Sequence, residues 1–105
     1  VDIPDVPTLA EVLGGGIGLD NRWSMTAVRR FVSEHVLVTE DEIAAAMTFC
    51  LSVHRVLAEG GGAVGLGAAL AGKVPRPGGP LAIVVSGGNV DPAAILALAG
   101  RGPGA

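Results

Sequence analysis

Few side chains in this sequence have both the type and the setting for chemistry. The most suggestive stand in AIVVSGGNVDP, residues 82–92, where an apolar run stops at Ser86, Gly87, Gly88 and Asn89 and a new segment opens at Asp91-Pro92. A serine closing a buried strand offers one neutral hydroxyl, and glycines after it let backbone amides turn toward an acceptor. The same residues equally suit an ordinary strand-to-helix turn. Glu59 poses a similar choice. It is either a solvated residue beyond a helix end or an acid held at the positive N-terminus of the glycine-rich helix that follows. Cys50 and His54 have no second Cys or His at metal-ligand spacing, so both read as packed core residues and no metal site is expected. Gly60-x-Gly62-x-x-Gly65 has the letters of the dinucleotide fingerprint. It lacks the preceding strand, and the next acidic residue, Asp91, is too far along, so nicotinamide or flavin binding is not expected.

The elements that must position these residues are legible mainly from caps and apolar spacing. Trp23, Ala27, Val28, Phe31 and Val32 recur at helical intervals, predicting a helix over about 22–34 with Asp20 or Asn21 as its cap. Val36–Val38 reads as a short strand. Thr39 through Glu42 fits the reciprocal capping pattern, and Ile43, Met47, Cys50, Leu51, His54 and Leu57 then predict one apolar helical face through Leu57. The glycines and alanines of 59–73 would weaken a free helix, so a helix there implies very close packing. Pro80–Val85 reads as a strand covered on both faces, and Asp91-Pro92 as the cap and first position of a helix ending at Gly100. TLAEVL, residues 8–13, suits either one short helical turn or a strand. The sum is an α/β fold of short parallel strands with packed helices, in which ligands bind beyond the carboxyl ends of the strands.

Size and charge narrow the classes. The chain has 105 residues, three of them aromatic, and so holds one modest domain with a thin core. Residues 1–21 form a loop and glycine-rich lead-in, 22–99 an α/β core, and 100–105 a flexible tail. Seven basic and ten acidic residues give a net charge of −3 with no basic stripe, so nucleic acid is not an expected partner. No apolar run approaches the roughly 20 residues of a membrane span, and no leader pattern opens the chain. With a single cysteine, the expectation is a cytoplasmic protein. The opening VDIPDVPT reads as a loop caught mid-chain, as in a piece of something longer.

Three motifs, VTEDEI, EGGGAVGLGAAL and IVVSGGNVD, in this order and at these separations, resemble the C-terminal portion of the threonine dehydratase and serine racemase family of pyridoxal-phosphate enzymes. These have the tryptophan synthase β-like fold, fold type II. The resemblance runs from about Pro7 to Asp91, and PTLAEVLGGGIGLDNRW most resembles the hydroxyectoine-utilisation dehydratases. It implies that Ser86 makes a hydrogen bond at the pyridine nitrogen of pyridoxal phosphate, that Glu59 is the acid near the ring, and that the Gly87-Gly88 backbone closes the pocket. It also implies that residues 13–16 line the cofactor's face, although many relatives carry glycine where Val12 stands. The family's lysine that holds the cofactor, its phosphate loop and its cation ligands all precede the region resembled. Lys73 lies outside every family motif. The resemblance therefore implies a dehydratase or ammonia-lyase acting on a hydroxy amino acid or hydroxyectoine-derived substrate, of which this chain alone is inactive. Its partners would be the small-molecule substrate and the missing N-terminal half, with self-association left open. The alternative is a non-catalytic α/β interaction module or a decayed remnant.

Overall fold

The computed structural model describes residues 7–14, 18, 20–75 and 78–100. Of the tail expected at 100–105, Gly100 instead closes the last helix and the rest lies outside the described residues, as do most of the opening loop and parts of the glycine run and of the Pro/Gly loop. Four helices follow in order: α1 (Trp23–Phe31), α2 (Glu40–His54), α3 (Gly60–Leu70) and α4 (Pro92–Gly100), with a 3-10 turn at Glu11–Leu13 ahead of them.

Helix α2 starts where its sequence says it must. The Thr39 hydroxyl accepts from the Glu42 amide at 3.2 Å, and the Glu42 carboxylate accepts from the Thr39 amide at 2.7 Å. Thr39→Ala removes one side of this exchange and should lower stability by about 1 kcal/mol, read as a reduced urea midpoint, while Thr39→Ser should restore it. The helix ends at His54 rather than at Leu57. Arg55 takes the left-handed conformation at φ 58°, and the Val56 amide returns to the Cys50 carbonyl at 2.9 Å. The expectation for Cys50 holds, since it is buried, but His54 is exposed and sets its ring edge-on to Phe49 at 5.3 Å.

The core is a seam of small and medium side chains: Ala10, Ile43, Ala46, Met47, Cys50, Ala58, Ala63 and Ile95. Helix α3 packs along α2, and α4 packs on α2. The close crossing expected of the glycine-rich helix is present: a Cβ on Gly67 would stand 3.1 Å from the Glu42 carbonyl oxygen. Beyond the end of α3, Lys73 clips this crossing, its ammonium donating to Glu42 at 2.6 Å and to the Leu37 carbonyl at 2.8 Å.

Two expectations need correction. The α/β fold with short parallel strands is not seen: among the described residues neither 36–38 nor 80–85 forms a strand, and the secondary structure is helical. A strand exists only through a ladder to a neighbour. Here Leu37 and Val84 are 90% and 84% exposed, so the run expected to be covered on both faces is open. The first helix also stops at Phe31 instead of reaching Glu34. Helix stability depends on packing an apolar face, yet Trp23 and Phe31 are exposed and α1 packs on no other helix among the described residues. Its start is supported by the Asn21 side chain, which accepts from the Met25 amide at 2.9 Å.

Candidate functional site

The N-terminus of α3 gathers the sequence-selected residues. Glu59 is its N-cap, with extended backbone and no side-chain cap hydrogen bond, and its carbonyl accepts from the Gly62 amide at 3.0 Å. The segment carrying Ser86 runs directly across this helix start. The Glu59 amide donates to the Gly87 carbonyl at 3.1 Å, and the Ser86 amide donates to the Gly62 carbonyl at 3.4 Å. Backbone from two regions of the chain is thereby joined in one wall.

Small residues make that joining feasible. A Cβ on Gly62 would lie 2.6 Å from the Ser86 carbonyl carbon and nearer still to its oxygen. Gly87 has φ +75°, a conformation that residues with a Cβ rarely adopt, and a Cβ there would lie 2.8 Å from Glu59 Cγ. The Glu59 side chain therefore rests on the bare face of Gly87. Gly88 follows with its Cα side toward the Leu57 carbonyl, where a Cβ would find ordinary contact at 3.5 Å.

What this wall offers is one hydroxyl and one carboxylate. Ser86 is exposed, Glu59 is half-buried, and neither side chain has a hydrogen-bond partner among the described residues. The far side of the turn is anchored. Asp91 Oδ1 accepts from the Ala93 amide at 2.9 Å, which caps α4 as its sequence predicts, and Ile95 is fully buried behind it. The structure thus brings Ser86, Glu59, Gly87 and Gly88 together.

Other candidates are placed elsewhere. Burial pushes the Cys50 thiol above its ordinary pKa, so it stays protonated. The Lys73 ammonium is engaged with Glu42, and that hydrogen bond, with the one from the Thr39 amide, holds the Glu42 carboxyl below the ordinary carboxylate value. No group of three His, Cys, Asp or Glu suited to a metal ion occurs among the described residues. Among them too, no helix is long and apolar enough to cross a membrane.

One contact carried no signal in the sequence. Glu40, the first residue of α2, accepts from the Thr8 hydroxyl and from the Leu9 amide, the latter at 2.8 Å. These two bonds, the amide's first, hold the Glu40 carboxyl below its ordinary value. The partners lie more than 30 positions apart, and no local pattern announces them.

Known proteins align with this same span. The chain is 43% identical over 91 residues to a provisionally named threonine dehydratase of Sinorhizobium fredii, covering 87% of this chain and 27% of that protein. It is 45% identical over 87 residues to the L-threonine ammonia-lyase of Thermotoga maritima, covering 81% of this chain and 20% of that protein. Serine racemase of Oryza sativa subsp. indica is 33% identical over 96 residues, with 87% and 27% covered. The chain is related to the threonine dehydratases and serine racemases. It spans about a quarter of the length of these relatives and corresponds to their C-terminal part. No family model matches the chain, and no solved structure matches it.

The wall of Glu59 and Ser86–Gly88 is the place where the residues singled out by the sequence meet. A shallow hollow of about 200 Å³ on the α2–α3 seam, lined by Asp41, Glu42, Ala45, Gly67, Leu70 and Ala71, includes none of these residues. Its acidic members are already committed to the helix cap and to Lys73, or stand in solvent.

Proposed function

We propose that this chain forms the ring-binding wall of a pyridoxal-phosphate-dependent dehydratase or ammonia-lyase. Its substrate would be a hydroxy amino acid or a hydroxyectoine-derived compound. The observation that carries the reading is the joining of Glu59 to Gly87 through a backbone hydrogen bond, which leaves the Ser86 hydroxyl and the Glu59 carboxylate on one wall. The names of the relatives, threonine ammonia-lyase among them, support the reaction class.

The residues present fit the group. A pyridine nitrogen needs one in-plane hydrogen-bond partner, and Ser86 has an exposed hydroxyl with no other partner among the described residues. A flat ring needs a wall without bulky side chains beside that partner, and Gly87 and Gly88 provide it. When bound, pyridoxal phosphate supplies a conjugated ring that spreads negative charge developing at a substrate Cα.

Ser86 sets how strongly that charge is drawn. A hydroxyl donates to or accepts from the ring nitrogen without requiring that nitrogen to stay protonated, whereas a carboxylate in its place would hold a proton there. The weaker draw favours loss of a β-hydroxyl over proton return to another position. Glu59 supports the wall from its place as the N-cap of α3, its side chain resting on Gly87. No residue of this chain supplies the covalent anchor or the base, since its one lysine is clipped to Glu42. Those functions belong to the remaining part of the family fold, which is also the proposed partner.

The test combines purified chain with a separately expressed fragment of the Thermotoga threonine ammonia-lyase comprising the part that this chain does not match. With pyridoxal phosphate and L-threonine, the chain alone should release no ammonia above background, and the combination should. Turnover by the chain alone, or a combination that never takes up the cofactor, would contradict the reading. A second reading has one observation in its favour: Trp23, Phe31, Leu37 and Val84 leave large apolar surface open, as in a non-catalytic module that binds a partner or another copy of itself. A monomeric chain with a cooperative melt and no response to the added fragment would favour the module.

A further inference from the structure

We propose that Glu40 is a positioning residue for the cofactor wall, clamping the segment 8–13 across the start of α3. This rests on the function proposed above and adds a residue that does not itself touch the wall.

The clamp has three layers. The Glu40 carboxylate receives the Thr8 hydroxyl on one oxygen and the Leu9 amide on the other, and the Ala10 amide closes the turn by donating to Thr8 Oγ1 at 3.1 Å. Ala10 is thereby sunk into the core at 5% exposure. The backbone just before it then lies directly on α3: a Cβ on Gly60 would be 2.5 Å from the Leu9 carbonyl carbon, and one on Gly61 would meet the end of the Val12 side chain. Gly60 and Gly61 immediately follow Glu59. The helix start is therefore held between two strips of backbone, residues 8–13 on one side and Ser86–Gly88 on the other.

Among the described residues only the second strip is tied to α3 by backbone hydrogen bonds, through Glu59 and Gly62. The first depends on Glu40 for its polar attachment. Glu40 is well placed for that task because its own helix is fixed by the Thr39–Glu42 exchange and by Lys73. A hydrogen bond to a charged group contributes more than a neutral one, so losing this pair should free the strip while the α2–α3 seam remains closed.

The experiment compares Glu40→Gln, Thr8→Val and Thr8→Ser with the unaltered chain. Hydrogen exchange on the chain itself should accelerate by roughly 10- to 100-fold at the Leu9 and Ala10 amides in Glu40→Gln, the range expected for a lost charged hydrogen bond, and by less in Thr8→Val. Thr8→Ser, which keeps the hydroxyl, should behave as the unaltered chain. Exchange at Met47 and Cys50 should not change. In the reconstituted complex the dissociation constant for pyridoxal phosphate should rise by about tenfold in Glu40→Gln with little change in melting temperature. Unchanged exchange at Leu9 and Ala10 overturns the clamp. Faster exchange with unchanged cofactor affinity overturns its role in the wall. An unaltered complex that takes up no cofactor overturns the function reading and the wall role together, while the exchange result still decides the clamp.

Discussion

Gly62→Ala should destabilise the chain by about 2–3 kcal/mol and disrupt the candidate site, although alanine is ordinarily the better helix former by about 1 kcal/mol. Gly62 is buried in the first turn of α3, and the added methyl would press on the backbone of Ser86. A peptide group cannot rotate aside as the end of a side chain can. Either the helix start or the 84–88 segment must therefore move, and both the Ser86–Gly62 and the Glu59–Gly87 hydrogen bonds stand in the path of that movement. Gly61→Ala is the matched comparison, because its methyl meets only the Val12 side chain. Urea unfolding should give a clearly lower midpoint for Gly62→Ala than for Gly61→Ala. Equal midpoints would mean that Ser86 does not lie on the start of α3.

Ile95→Ala should cost about 3 kcal/mol or more. Ile95 is fully buried and the largest side chain in the core to be so, and α4 reaches α2 through this face. Removing its branched carbons leaves a cavity that the small neighbouring side chains, Ala46 and Ala63 among them, cannot fill. The loss also reaches the site, since α4 begins at Pro92, three positions after Asn89, and anchors the far end of the Ser86–Asn89 turn. Leu96→Ala, one position along and largely exposed, should stay within about 0.5 kcal/mol of the unaltered chain. Thermal melts separate the two. Similar melting temperatures for both variants would place α4 outside the folded core.

What the sequence shows of this architecture depends on the range over which each interaction acts. The Thr39–Glu42 exchange and the Asp91 cap each close within three residues, so the starts of α2 and α4 are readable from a few letters. The close approach of α3 is readable for a related reason: glycine and alanine at 60–69 weaken a helix unless a neighbour is near enough to exploit the missing side chains. The strands were not readable in the same way. The valine and isoleucine of 82–85 express a preference for a pleated, covered surface, but a ladder needs a second chain segment beside it, and the described residues supply none. Trp23 and Phe31 mislead similarly, since helical spacing marks a face without saying what covers it.

The candidate site divides along the same line. Ser86 is marked in the sequence by the apolar run that stops there, but the structure forms no strand at that run and leaves Val84 as well as Ser86 exposed. The juxtaposition of Glu59 with Gly87 depends on folding two regions together, and only the resemblance of the three motifs joined them beforehand. Glu40 has neither advantage, because a glutamate at a helix start is ordinarily accounted for by the dipole alone.

The central claim is that Ser86 meets the ring nitrogen of pyridoxal phosphate, and the most direct measurement is the magnetic resonance signal of that nitrogen in isotope-labelled cofactor bound to the chain and its complementing fragment. A resonance that moves toward the free-cofactor position on Ser86→Ala, and toward the protonated ring on Ser86→Asp, is the result expected. A resonance identical in all three complexes would contradict it.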